Sequence, residues 1–416
     1  MPHAMKYIIL LGDGMADYPL EELGGKTPLQ AAHTESMDAI AARGTLGMVQ
    51  TIPEGLSPGS DIANLSILGY DPRRYLTGRA VYEAASVGVK LTSRDVAFRC
   101  NLVTLSQRDN ATIMEDYSAG HITTEEGKRI ISELDRRLGN DQIRFYPGVS
   151  YRHLMVWAEG VDTVETTPPH DISGKDIASY LPRGKGSDTL NTIMAEAKAI
   201  LQDSPVNRER TAASKPPANA IWLWGQGRPI TMPSFEEKYG LTGSVISAVD
   251  LIKGIGITLG LIPVEVPGAT GYLDTNYQGK ADRALKELEG KDFVFVHVEA
   301  PDEASHNGSV ANKIKAIEDF DRKVVRTVLE GVKRFPEYRV MVLPDHRTPI
   351  VRKTHTAEPV PFAFLSSKGA AKPPRKDAAF NETAATESGL FVEQGCNIMD
   401  LFIRGRAGLS FRILRI

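Results

Sequence analysis

Asp302 and His306 stand four residues apart, in Ala300-Pro-Asp302-Glu-Ala-Ser-His306. On one helical turn both side chains can face the same point. Asp345 and His346 are adjacent, and His355 follows shortly after. Asp13 lies near the start of the chain, in Leu11-Gly12-Asp13-Gly14. Mixed carboxylate and imidazole donors suit Mn²⁺ or Zn²⁺ better than Ca²⁺. These six donors are too many for one catalytic ion that keeps open positions. They are about right for two ions sharing a nucleophile. Such ions sit roughly 3.5–4 Å apart and clamp an in-line phosphoryl displacement. The candidate nucleophile is Ser60, in Ser57-Pro-Gly-Ser60-Asp61. Pro58 and Gly59 suit a sharp turn into a helix over 61–68, and a helix N-terminus favours a phosphate dianion. Taken by itself, this segment is better explained as an ordinary serine N-cap.

Elements that can position these residues are visible around them. Residues 6–11 form a continuous apolar run that ends at Gly12-Asp13-Gly14. Similar runs cover 292–298, just before Asp302, and 339–343, just before Asp345; a fourth covers 360–365. Continuous apolar runs of this length read as buried parallel strands. Helical spacing marks 29–43, 281–288 and a long segment, 310–334. Alternation of strand and helix implies a mostly parallel α/β sheet. In such sheets functional residues gather at the carboxyl ends of strands. Asp13, Asp302 and Asp345 each fall there.

The middle of the chain has a different texture. It holds strand-like runs at 96–105, 151–157 and 220–224, and helical patterns at 124–138 and 189–202. A polar, proline-containing stretch at 203–219 reads as a surface loop, and 370–377 as another. The expectation is a core domain from 1–73 and 241–416, with a smaller domain inserted over 74–240.

The 416 residues carry a net charge of −3, 42% hydrophobic and 24% charged residues. This balance excludes a strongly basic nucleic-acid or anionic-membrane binder. The apolar runs are too short to span a bilayer, and no secretory signal pattern is seen. A cytoplasmic enzyme is expected, with Cys100 and Cys396 as reduced thiols.

The order of these motifs, together with Leu23-Gly-Gly-Lys-Thr-Pro-Leu29, Leu68-Gly-Tyr-Asp-Pro72, Ala97-Phe-Arg-Cys-Asn101 and Pro169-His-Asp-Ile-Ser-Gly-Lys175, resembles the cofactor-independent phosphoglycerate mutases. The likeness is to their shorter archaeal-type branch, within the alkaline phosphatase superfamily, and covers nearly the whole chain. It implies an alkaline-phosphatase-like core, with a sheet flanked by helices, and an inserted cap domain that closes over the site. Asp302, His306 and His355 would hold one metal. Asp13, Asp345 and His346 would hold the other, with Ser60 as a further ligand. Mn²⁺ is the expected ion, with Zn²⁺, Mg²⁺ or Co²⁺ as alternatives, and no 2,3-bisphosphoglycerate is needed. Phosphate would pass from 3-phosphoglycerate to Ser60 and back to the 2-hydroxyl, a step of glycolysis and gluconeogenesis. Arg99, His121 and Lys253 are candidate catalytic cations, and Arg152 and His153 candidate substrate grips. His121 is the candidate proton shuttle. For Arg152 and Lys253 taken singly, a plain surface cation explains the residue as well.

His3, His33 and His297 are assigned structural roles, His297 as a core residue of its strand. Asn64 stands where the branch commonly has histidine, and His121 where it often has arginine. The segments around Glu299–Ala304 and Leu343–Pro349 look more like a bacterial sister group proposed to phosphorylate homoserine from ATP. That phosphotransferase is the alternative, although the chain has no Gly-x-x-x-x-Gly-Lys-Ser/Thr loop. A metal-binding protein without turnover fits less well, since pure binding has no use for Ser60. A simple phosphatase follows if the cap does not close. The sequence leaves the oligomeric state open; a small phosphorylated substrate is the expected partner.

Overall fold

The computed structural model describes residues 5–368, 379–405 and the backbone of 412–413; His3 and the 370–377 loop lie outside them. The strands in chain order are β1 (Met5–Gly12), β2 (Thr45–Val49), β3 (Val96–Arg108), β4 (Ala111–Asp116), β5 (Ile143–Val149), β6 (Arg152–Trp157) and β7 (Ala220–Gly227). They continue as β8 (Gly243–Ile246), β9 (Ile262–Pro263), β10 (Phe293–Val298), β11 (Glu337–Leu343), β12 (Val360–Ser366), β13 (Leu390–Val392) and β14 (Arg412–Ile413). Contacts divide the chain into two compact units, Met1–Leu76 with Met232–Ile416, and Thr77–Thr231. The short helix Phe235–Tyr239 therefore belongs to the first unit rather than to the insertion.

In the first unit one sheet runs β14-β13-β2-β12-β11-β1-β10-β8-β9. Its centre is parallel: β1 pairs with β10 and β11, and β10 with β8. The apolar runs predict this, because a central strand is buried on both faces and has no polar side to alternate with. Every residue of β10 is buried, as are Leu10 and Leu11 of β1. Each such large apolar side chain contributes roughly 1.5–3 kcal/mol, an upper estimate. The run at 360–365 departs from the pattern. As β12 it lies antiparallel to both β11 and β2. Parallel register puts Leu11 opposite both His297 and Leu343, so β1, β10 and β11 end together. Asp13, Asp302 and Asp345 all follow that shared edge.

Two helical expectations change. The pattern over 29–43 forms two helices, Pro28–Ala31 and Glu35–Arg43. The break is held from far away: Asp321 accepts hydrogen bonds from the Ser36 and Met37 amides, capping the second helix. The segment 310–334 stays helical throughout but passes through a π turn at Asp321–Val325.

The inserted unit is an antiparallel sheet, β4-β3-β6-β5, with β7 on β3. Val96, Phe98, Cys100 and Leu102 of β3 share one core with Ile130, Leu134, Leu190 and Ile193 of two covering helices, Thr124–Leu138 and Ser187–Gln202. The stretch expected as a loop at 203–219 contains the helix Pro205–Ala212. Pro205 suits its first position, and buried Arg210 anchors it through Glu126 and the Ala119 and Pro216 carbonyls. Cys100 and Cys396 are both free. No helix among the described residues is long and apolar enough to cross a membrane.

Candidate active site

Asp13 follows β1, and its amide donates to the Val298 carbonyl, so the loop is tied to the end of β10. Asp302 and His306 lie on the helix Ala300–His306, directly after β10. Asp345 and His346 follow β11, and His355 lies in the loop before β12. Ser60 opens the helix Ser60–Ile67, with Gly59 as its cap residue. The cap role that local sequence favoured for Ser60 therefore falls to Gly59.

The structure brings all seven residues together. His306 Nε2 is 3.1 Å from Asp302 Oδ2 and 3.0 Å from His355 Nε2; His355 Nε2 is 3.5 Å from Asp302 Oδ1. His346 Nε2 lies 3.6 Å from Asp13 Oδ1, 3.4 Å from Asp345 Oδ2 and 3.1 Å from Ser60 Oγ. His346 stands between the two groups: its ring also packs 4.0 Å from that of His355. Donor atoms of Asp302, His346 and His355 lie within 4.8 Å of one another, as do those of Asp13, His297 and Asp345.

His297 holds the core place expected of it, and what sequence reasoning did not see is its partners. It is fully buried, as expected, but its Nε2 lies 2.9 Å from Asp13 Oδ2 and its Nδ1 3.2 Å from Ser247 Oγ. The signal was present: a buried imidazole near the end of an otherwise apolar strand requires polar partners. Asn64 was noted only as a departure. It lies one turn beyond Ser60 and donates to both the Ser60 carbonyl and Asp345 Oδ2.

The electrostatics fit divalent cations. Burial, then the nearby Asp345 and Asp302 charges, push the Asp13 carboxyl well above the usual range. Its Oδ1 is buried without a hydrogen-bond partner among the described residues. Burial works against the charge on Asp302, yet hydrogen bonds from His306 and His355 hold its carboxyl well below the usual range. His306 is pushed up to about 9: burial opposes its proton, and the Asp302 carboxylate outweighs burial. Burial brings His346 down to about 4, leaving a neutral imidazole. Two facing imidazole nitrogens, converging carboxylates and an orphaned oxygen are a donor set that a cation would satisfy. A cavity of about 860 Å³ adjoins His355, and Ser66, Arg73, Arg352 and Thr356 also line it.

The expected cations are placed unevenly. Lys253, in the first unit, pairs with Glu265 at 2.8 Å. In the inserted unit, cross-strand pairing sets Arg99 and Arg152 on one sheet face with Asn101 and Trp224. Arg99 lies over the Trp224 ring and pairs with Glu83; Arg152 lies over Tyr151. His121 is exposed, edge-on to Tyr151. His153 corrects the expectation of a gripping cation. It alternates to the opposite face, against Gly127, and accepts a hydrogen bond from the Gly148 amide. Burial lowers it to about 3, so it carries no charge to grip with.

A mixed α/β sheet with a parallel centre, an inserted antiparallel unit, and paired carboxylate–imidazole groups facing a helix-borne serine define the class. The family model described as 2,3-bisphosphoglycerate-independent phosphoglycerate mutase matches residues 41–207. A Geobacter sulfurreducens protein, named a probable 2,3-bisphosphoglycerate-independent phosphoglycerate mutase, is 53% identical over 96% of this chain and 100% of its own. A Methanosarcina barkeri protein with the same name, without the qualifier, is 51% identical over 97% and 100%. The solved cofactor-independent phosphoglycerate mutase of Thermoplasma acidophilum superposes with a TM-score of 0.64 at 26% identity, over 96% of this chain and 99% of that one. The chain belongs to the 2,3-bisphosphoglycerate-independent phosphoglycerate mutase family.

Proposed function

We propose that this protein interconverts 3-phosphoglycerate and 2-phosphoglycerate, without 2,3-bisphosphoglycerate, by way of a phosphate carried on Ser60. The observation that carries the reading is Ser60 Oγ at the head of its helix, 3.1 Å from His346 Nε2 and beside two carboxylate–imidazole groups. Asp302, His306 and His355 would hold one divalent ion. Asp13, Asp345 and His346 would hold the second, next to Ser60. Ions bound there ease deprotonation of a serine hydroxyl and offset charge on phosphoryl oxygens. The mixed donor set suits Mn²⁺ or Zn²⁺, and the family resemblance favours Mn²⁺.

In the first half, Ser60 Oγ bonds to phosphorus as the bond to the substrate's 3-oxygen breaks, and that oxygen takes a proton. In the second half the 2-hydroxyl gives up its proton and takes the phosphoryl group from Ser60. His121 is suited to carry the proton between the two hydroxyls. Arg99, Arg152 and Lys253 supply charge for the substrate's carboxylate and phosphate. The substrate would be the glycolytic one, met in the cytoplasm. The names borne by relatives at about half identity support this over transfer from ATP to homoserine.

Phosphorus NMR tests the substrate. Protein with Mn²⁺ receives 3-phosphoglycerate alone in one sample, and homoserine with ATP in another. The proposal expects 2-phosphoglycerate in the first and no reaction in the second. Phosphohomoserine in the second, with an inert first sample, overturns the mutase reading. Inorganic phosphate from the first would make the protein a phosphatase.

A further inference from the structure

Thr348 follows His346 by two residues and is fully buried. Its Oγ1 donates to Asp302 Oδ1 at 2.5 Å and lies 3.1 Å from His346 Nδ1. A hydroxyl has one proton to give. With that proton on Asp302, Oγ1 meets His346 as an acceptor, so His346 carries its own proton on Nδ1. Nε2 of His346 is then left with its lone pair, facing Ser60, Asp13 and Asp345. Asp302 is fixed at the same time. Its Oδ1 is taken by Thr348, and its Oδ2 is turned to His306.

The Thr348 backbone is anchored on both sides. Its amide donates to the Ala16 carbonyl. Its carbonyl accepts from Lys313 Nζ, which is fully buried and also bonds Asp17 Oδ2 at 2.8 Å. Asp17 in turn accepts from the Ile350 amide. The remaining space is also committed. Gly14 has φ +60, and a Cβ there would fall 2.5 Å from Thr348 Oγ1 and 2.6 Å from Asp302 Oδ1. The loops after β1 and β11 and the helix after β10 thus converge on one hydroxyl.

We propose that Thr348 is a positioning residue that sets both donor groups at once, orienting His346 in one and Asp302 in the other. The inference rests on the two-ion reading given above. Partners behind metal ligands fix tautomer and ring orientation, and their loss typically costs about 10–100-fold in metal affinity. Thr348→Val keeps the shape and removes the hydroxyl, so that His346 Nδ1 loses its acceptor and Asp302 Oδ1 keeps only the 3.5 Å approach of His355 Nε2. Thr348→Ser keeps the hydroxyl and loses only a methyl group.

The test is Mn²⁺ titration of the full-length chelated protein, followed by calorimetry and by electron paramagnetic resonance, with no substrate present. Wild type is expected to take up two ions close enough to couple their spins. Thr348→Val should weaken both sites by about 10-fold or more and lose the coupled signal, while Thr348→Ser stays within a few-fold of wild type. A Val variant that loads two ions like wild type overturns the bridge. So does weakening at one site alone, or a Ser variant as impaired as the Val variant. A wild type that takes up no pair of ions overturns the two-ion reading, and the bridge with it.

Discussion

His306 shows how far one neighbour sets a residue's chemistry. With Asp302 3.1 Å away, its pKa is about 9 against an ordinary 6.5. The metal-free fold binds this proton more tightly than the unfolded chain does. Its stabilising effect is complete below pH 6.5 and disappears as pH rises through about 9. The Tm of chelated protein should therefore fall across that window, and His306→Gln should flatten the fall. A wild-type Tm that holds steady from pH 6.5 to about 9 contradicts the assignment. Asp302, His306, Asp345, His346 and His355 were legible because their types and spacing imply convergence. The core place of His297 was legible from its strand, but the identity of its partner was not: only the Leu11↔His297 register brings it to the edge where Asp13 sits. His153 failed for a related reason. Strand alternation sends it and Arg152 to opposite faces, and the sequence does not say which face is covered.

At the scale of elements, strand ends and helix starts do the positioning. The helix Ser60–Ile67 was visible from its Pro-Gly turn, and the carboxyl ends of β1, β10 and β11 from their apolar runs. Breaks held by distant residues were not visible. Asp321 caps Glu35–Arg43 across 285 residues of sequence, through the Ser36 amide. Loss of such a cap costs about 0.5–2 kcal/mol. Asp321→Ala should lower denaturant stability by about that much while leaving Mn²⁺ uptake unchanged, since none of the donors lies on this helix. A variant as stable as wild type would show that the break at Ala32–Thr34 holds without Asp321. The antiparallel β12 was hidden for another reason: a buried strand reads as the same apolar run in either direction.

At the scale of the whole chain, the six donors come from four separate segments after β1, β10 and β11 and before β12. Three carboxylates and three imidazoles crowd together there, with Asp13, Asp302, Asp345 and His346 buried and His306 and His355 half-buried, and a cation would join groups that otherwise repel or strand one another. Binding to the folded chain alone stabilises it by mass action, about 2.7 kcal/mol at 100 times Kd. Mn²⁺ should accordingly raise the Tm of chelated protein, and saturating EDTA should abolish turnover until Mn²⁺ is restored. Full activity after thorough chelation contradicts the metal assignment. The two-unit plan was readable from the change of texture along the chain, although its later boundary falls at Thr231 rather than 240.

The central claim is that Ser60 carries the phosphate, and acid quench with peptide mapping tests it most directly. Protein loaded with Mn²⁺ is mixed with radiolabelled 3-phosphoglycerate and stopped within a turnover. The account predicts label on the peptide containing Ser60. It also predicts that Ser60→Ala carries no label, makes no 2-phosphoglycerate and still binds Mn²⁺. A Ser60→Ala protein that turns over at close to the wild-type rate, with no labelled peptide in either form, contradicts it.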